Sequence, residues 1–173
     1  QDYGNTALWK QVNLVEAPAE VRAYLLNSSV NAVGGLSQTA ISDQSIDALV
    51  VAGSAAASGA GVGVSVSGAG AGAVNTITTD VKAFIEGDKA IGGGETAGIK
   101  AGSVTLKAED TSRITAVTGA ASLAAAFGAV GVGVSIGVAG AVNVISNDVA
   151  AYIYNANDGV KTTGGAITVE AIE

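Results

Sequence analysis

The residues best placed to do chemistry are two oxygen-bearing pairs at the same spacing, Asn75 with Asp80 and Asn143 with Asp148. They occur in Asn75-Thr76-Ile77-Thr78-Thr79-Asp80 and Asn143-Val144-Ile145-Ser146-Asn147-Asp148. Side chains of this kind at a turn suggest Ca²⁺, a hard cation that takes about six to eight oxygen ligands. Too few carboxylates converge for such a shell. The preferred reading is structural: each Asn ends one strand and each Asp caps the next by bonding turn backbone. Asp88 with Gly92-Gly93-Gly94-Glu95 lacks the Gly-Gly-x-Gly-x-Asp spacing of calcium-binding nonapeptides and reads as a flexible loop. Gly59-Ala60-Gly61-Val62-Gly63 falls short of a nucleotide-binding fingerprint, which needs a following helix and a later acidic residue. Asn27-Ser28-Ser29 fits a glycosylation sequon but reads as an ordinary turn.

Catalytic sets are narrowed by composition. The chain has no His and no Cys, which excludes Ser-His-Asp and Cys-His arrangements, disulfides and thiolate metal sites. No acid pair recurs at a plausible concave site, so the expectation is a protein that is not an enzyme, with no catalytic residues and no cofactor beyond a weak case for Ca²⁺. Fifteen acidic residues against eight basic leave a net charge of −7, which argues against a nucleic-acid partner. The chain lacks Met and opens at Gln1 without a charged or apolar leader, which suggests a processed or excised piece.

The elements that must position these residues are repetitive. Gly61-Val62-Gly63-Val64-Ser65 returns as Gly131-Val132-Gly133-Val134-Ser135, an offset of 70, and Asp80-Val81-Lys82-Ala83-Phe84-Ile85 returns as Asp148-Val149-Ala150-Ala151-Tyr152-Ile153, an offset of 68. A third echo is Glu20-Val21-Arg22-Ala23-Tyr24-Leu25. Each echo predicts an amphipathic strand (Val21 to Leu25, Val81 to Ile85, Val149 to Tyr154), a Gly/Asn/Asp turn cluster, and a second strand (Leu36 to Ile41, Ser103 to Ala108, Ala166 to Ala171). The division is 1–19 as an inter-repeat linker or arm, 20–46 as a partial repeat, 47–108 as the first full repeat and 109–173 as the second.

Hydrophobic residues are 49% of the chain but aromatics only 4%, beside 25 Gly, so any core must be thin and closely packed. Ala48 to Thr79 and Ile114 to Asn147 carry no ionisable side chain. Their small/β-branched alternation is foreign to a membrane helix, and no membrane span is expected. Propensity alone would suit a helix at the Ala runs, but buried strands fit better. Alternation puts Ala60, Val62, Val64 and Val66 on one face, with Gly61, Gly63, Ser65 and Ser67 on the other. In the second copy Val130, Val132, Val134, Ile136 and Val138 oppose Gly131, Gly133, Ser135, Gly137 and Ala139. The valine ridges are expected to form the core and the Gly/Ser faces to allow close packing and self-association.

The fold expected is all-β, a repetitive β-solenoid or stacked β-sheet array with a Gly/Ala/Val-rich core. A coil of about 20 residues per turn would give about three rungs per repeat and a stack about 40 Å long. The competing geometry is a pair of flat antiparallel sheets packed by their Gly/Ala faces. Tyr24, Phe84 and Tyr152 hold equivalent places, read as an aromatic ladder closing one side of the core in preference to a carbohydrate-stacking stripe.

Ala-Ala-Ser-Leu-Ala-Ala-Ala-Phe-Gly at 120–128, Gly-Val-Gly-Val-Ser-Ile-Gly-Val-Ala at 131–139 and Asn-Asp-Val-Ala-Ala-Tyr-Ile at 147–153 resemble repeats of very large bacterial exported proteins, adhesin-like or extracellular-matrix in character. The opening Gln1 to Val12 looks like the linker that recurs between their repeat blocks. The resemblance implies a secreted or cell-surface location and a scaffolding or adhesive role, and brings no catalytic residues. Two functions follow as expectations. One is a structural module that associates with itself into a filament, stalk or matrix fibre. The other is an adhesive module whose loops bind glycan, ice or Ca²⁺.

Overall fold

The computed structural model describes residues 17–59, 61–88 and 97–173; the linker residues 1–16, Ala60 and the Gly92–Glu95 cluster lie outside the described residues. The described residues form eleven strands and no helix. In chain order these are β1 (Ala19–Leu26), β2 (Val30–Asn31), β3 (Leu36–Ser42), β4 (Ser45–Gly59), β5 (Val62–Glu86), β6 (Ile99–Ala101), β7 (Val104–Asp110), β8 (Arg113–Phe127), β9 (Val130–Tyr154), β10 (Val160–Thr162) and β11 (Ile167–Ile172). The all-β solenoid-like expectation is met, and the Ala runs are strands. Among the described residues no helix is long and apolar enough to cross a membrane.

Among the described residues each strand pairs with its counterpart in the neighbouring repeat, in the orders β1-β5-β9, β2-β6-β10, β3-β7-β11 and β4-β8. The pairings β1-β5, β2-β6-β10, β3-β7-β11 and β4-β8 are all parallel, which overturns the flat antiparallel alternative. Each repeat is therefore one long rung, and the expected short coil of three rungs per repeat is wrong.

Contacts divide the chain into two compact units, and both full repeats contribute to each. Unit 1 comprises the residues up to Ser42, Thr78–Thr111 and Ser146–Glu173. Its three sheets enclose a core of Ala40, Val81, Ala83, Ile85, Ile99, Ala101, Val104, Leu106 and Ala108. Alternation along β7, where Val104, Leu106 and Ala108 are buried while Thr105 and Lys107 are not, is the ordinary signature of a strand with one face inward. The rungs turn at an equivalent corner, where Asn27, Gly87 and Asn155 have φ of +47°, +74° and +53°. Only Gly, and Asn or Asp among the others, enters this left-handed region readily. Asn27 N–H donates to the Glu86 carbonyl at 2.7 Å and Gly87 N–H to that of Tyr154 at 3.0 Å, carrying the backbone ladder through the bend.

Unit 2 comprises Asp43–Ile77 and Ser112–Ile145. It is built from two layers, one of β4 and β8, the other of the first parts of β5 and β9. Its faces are the reverse of the expectation. Val62, Val64 and Val66 are 68%, 62% and 66% exposed, and Val132, Val134 and Ile136 are exposed too, whereas Gly63, Ser65 and Ser67 are buried. The layers nest by their bare sides. A methyl added at Gly131, Gly133 or Gly137 would lie 2.7, 3.0 or 2.9 Å from the carbonyl oxygen of Ala126, Ala124 or Ala120. No valine fits between backbones that close, so the β-branched side chains must point outward.

Replacing Gly133 by Val is expected to cost about 1–3 kcal/mol through overpacking, read as a lower urea midpoint. Gly70→Ala, whose new methyl meets nothing within 4 Å, is expected to leave the midpoint unchanged or raise stability by up to about 1 kcal/mol.

Candidate functional site

The structure does not gather the four calcium candidates at turns. Asn75 and Asp80 lie within the uninterrupted strand β5, and Asn143 and Asp148 within β9, so the Asn-ends, Asp-caps reading is corrected. Five positions apart in a strand, Asn and Asp point to opposite faces. Asn75 Nδ2 instead donates to Asn143 Oδ1 at 2.9 Å, an amide ladder between rungs.

The carboxylates of Asp80 and Asp148 are held by cations on the outer face of the β1-β5-β9 sheet. Asp80 meets Arg22 at 2.9 Å and Lys82 at 2.8 Å, Lys82 reaches Asp148 at 3.1 Å, and Arg22 also meets Glu20 at 2.9 Å. The register explains the network, because Glu20 pairs with Asp80 and Arg22 with Lys82, so opposite charges lie diagonally across rungs. Burial alone would raise the Asp80 carboxyl, but hydrogen bonds from Lys82 and Arg22, with their charge, hold it below its ordinary 3.8. The bonds to Asp80 and Asp148 raise Lys82. Among the described residues no group of three or more His, Cys, Asp or Glu is placed to hold a metal.

The same face carries the aromatic ladder. Tyr24 and Phe84 stack with centroids 5.2 Å apart, and Phe84 and Tyr152 at 5.0 Å, each pair within 9° of parallel. The ladder exists, but it does not close the core. In β1 the inward residues are Val21, Ala23 and Leu25, and Tyr24 shares the outward side with Glu20 and Arg22. Phe84 is only 8% exposed because its ring faces are covered from both sides. Phe84 therefore presents only its edge, a poor platform for a sugar ring, while Tyr24 and Tyr152 each spend one face on it.

Several buried polar contacts were not singled out from the sequence. Asp110, 3% exposed, accepts from Thr79 Oγ1 at 2.6 Å and from Asn147 Nδ2 at 2.9 Å. Asp88, expected in a flexible loop, is buried, and its carboxylate accepts the backbone N–H groups of Asp158 at 2.6 Å and Gly159 at 2.9 Å, tying one rung's corner to the next. In unit 2, Ser54 bonds Ser67 at 2.7 Å and Ser122 bonds Ser135 at 2.6 Å, joining the layers through hydroxyls. A signal for the serines was present, since Ser54 and Ser122 share a register position. The corresponding signal for Asp110 was absent, because its register partner is Ser42.

Of the four glycines named for packing, Gly63, Gly131 and Gly133 stand against backbone, a methyl added at Gly63 lying 2.8 Å from the Phe127 carbonyl oxygen, while Gly61 faces open space. A shallow pocket of about 270 Å³ beside β2, β6 and β10 is lined in part by Asn31, Lys100, Lys161 and Asp158. Its mixed charges converge on no single chemistry. The chain matches no family model, and no curated protein or solved structure matches it.

A carboxyl held below its ordinary pKa stabilises the fold above that value, and the contribution is lost as pH falls through the folded pKa. The melting temperature is therefore expected to drop as pH falls below ~4, with a shallower drop in Asp80→Asn, read by circular dichroism. Millimolar Ca²⁺ at neutral pH is expected to leave the melting temperature unchanged, because lysine and arginine already occupy these carboxylates; a rise would revive the metal role.

Proposed function

We propose that this chain is a structural repeat module of a bacterial extracellular or cell-surface protein, and that it associates with itself into a filament, stalk or matrix fibre. One observation carries the reading: every rung presents the next with a parallel backbone ladder in register, and like side chains meet across it, Tyr24 on Phe84 on Tyr152 and Asn75 on Asn143. Such a stack extends by repetition, since each rung offers its neighbour what it received from the one before. In the β1-β5-β9 sheet the outer strand β9 leaves one row of backbone groups unpaired among the described residues, and such an edge pairs readily with another chain. The likeness to adhesin-like and matrix repeats supports the location. The role is mechanical and not catalytic.

A glycan-binding role for Phe84 is disfavoured by its covered ring faces, and a calcium role for Asp80 and Asp148 by the ion pairs. Purified chain is expected to form fibrils visible by electron microscopy, with a meridional reflection at about 4.8 Å from strands running across the fibril axis. Chain that remains monomeric at high concentration, or fibrils without that reflection, would overturn the proposal.

A further inference from the structure

The valine side of unit 2 is an apolar sheet face with no covering element among the described residues. On β5 it reads Val62, Val64, Val66, then Gly68, Gly70 and Gly72; beside it on β9 runs the valine-rich stretch from Val130 to Val144. Neither strand carries an ionisable side chain between its start and residue 77 or 145. A soluble monomer seldom exposes so continuous an apolar patch.

We propose that this face docks against the same face of a second copy, sheet on sheet. The inference deepens the self-association reading and rests on it for the identity of the partner. The face runs about 50 Å along the strands and about 10 Å across two of them, or about 500 Å² per copy. A pair buries about 1,000 Å², the lower bound for a specific interface. Each further rung in register widens the contact.

Charge favours the same pairing. Copies with a net charge of −7 repel one another, and this face is one on which approach brings no like charges together. The notch at Gly70 and Gly72, where an added methyl meets nothing within 4 Å, leaves room for side chains from a facing sheet. A bilayer is the poorer occupant. Within unit 2 each layer pairs only two strands among the described residues, so both edges keep unpaired backbone groups, which hydrocarbon does not tolerate and which water satisfies when only the face is covered.

The test is sedimentation equilibrium of the whole chain below the concentration at which fibrils appear, comparing wild type with Val64→Asp, Gly70→Asp and Leu49→Asp. The last places its charge on the outer side of the other layer, where Leu49 is 73% exposed. Circular dichroism confirms that each variant keeps its strands. Wild type and Leu49→Asp are expected to dimerise alike, and the two face variants to dissociate at least ~tenfold more readily, as a buried unpaired charge requires. A wild type that stays monomeric, dimers indifferent to Val64→Asp and Gly70→Asp, or dimers broken by Leu49→Asp alone would each overturn the proposal. So would flotation of monomeric wild type with phosphatidylcholine vesicles that Val64→Asp abolishes. Face-sensitive dimers without fibrils count against edgewise growth and leave this interface standing; fibrils without such dimers do the opposite.

Discussion

Everything in this protein depends on the parallel backbone ladder between successive rungs. Because strand meets equivalent strand, a residue's neighbour above and below is its own counterpart, and the chemistry of one repeat is multiplied by the next. That is why two aromatic rings become a three-ring stack, and why two asparagines become an amide ladder. Like charges would be multiplied as well. Offsetting Glu20, Arg22, Asp80 and Lys82 diagonally turns that repulsion into attraction.

The same ladder explains the two kinds of interior. In unit 1 the three sheets enclose aliphatic side chains of moderate size, with Ile85, Ile99 and Leu106 among the largest fully buried, and the hydrophobic effect holds them in the ordinary way. In unit 2 two layers approach so closely that glycines sit against the carbonyl oxygens of alanines, and serine hydroxyls bond across the gap. Dense packing of backbone on backbone, with hydroxyl bridges, replaces bulky burial there. The consequence is an apolar outer surface, because the β-branched residues are excluded from the only interior available to them.

Much of this was legible beforehand. The echoes at Glu20 and Asp80 sit in register, and the valine and glycine/serine positions separate onto opposite faces as alternation requires. The turn clusters contain the left-handed corners at Asn27, Gly87 and Asn155. The candidate site was less legible. The Asn and Asp pairs suggested turns because such residues favour them, yet strand pairing overrode that preference and ran β5 and β9 straight through. Asp88 read as part of a flexible loop, because its partners are backbone N–H groups of a corner distant in sequence.

The sequence by itself determined the strand class, the repetition and which residues share a face, because these follow from side-chain alternation and from local backbone preference. Tertiary structure alone decided which face turns inward, since alternation is symmetric under exchange of sides and only the spacing between layers breaks the tie. It also decided the register. The Gly-Val-Gly-Val-Ser motifs match at an offset of 70, but β5 and β9 begin at Val62 and Val130 and end at Glu86 and Tyr154, an offset of 68 at both ends. A slip of two residues keeps every side chain on its own face, so motif identity could not tell the two apart; the ladder and the corners chose between them.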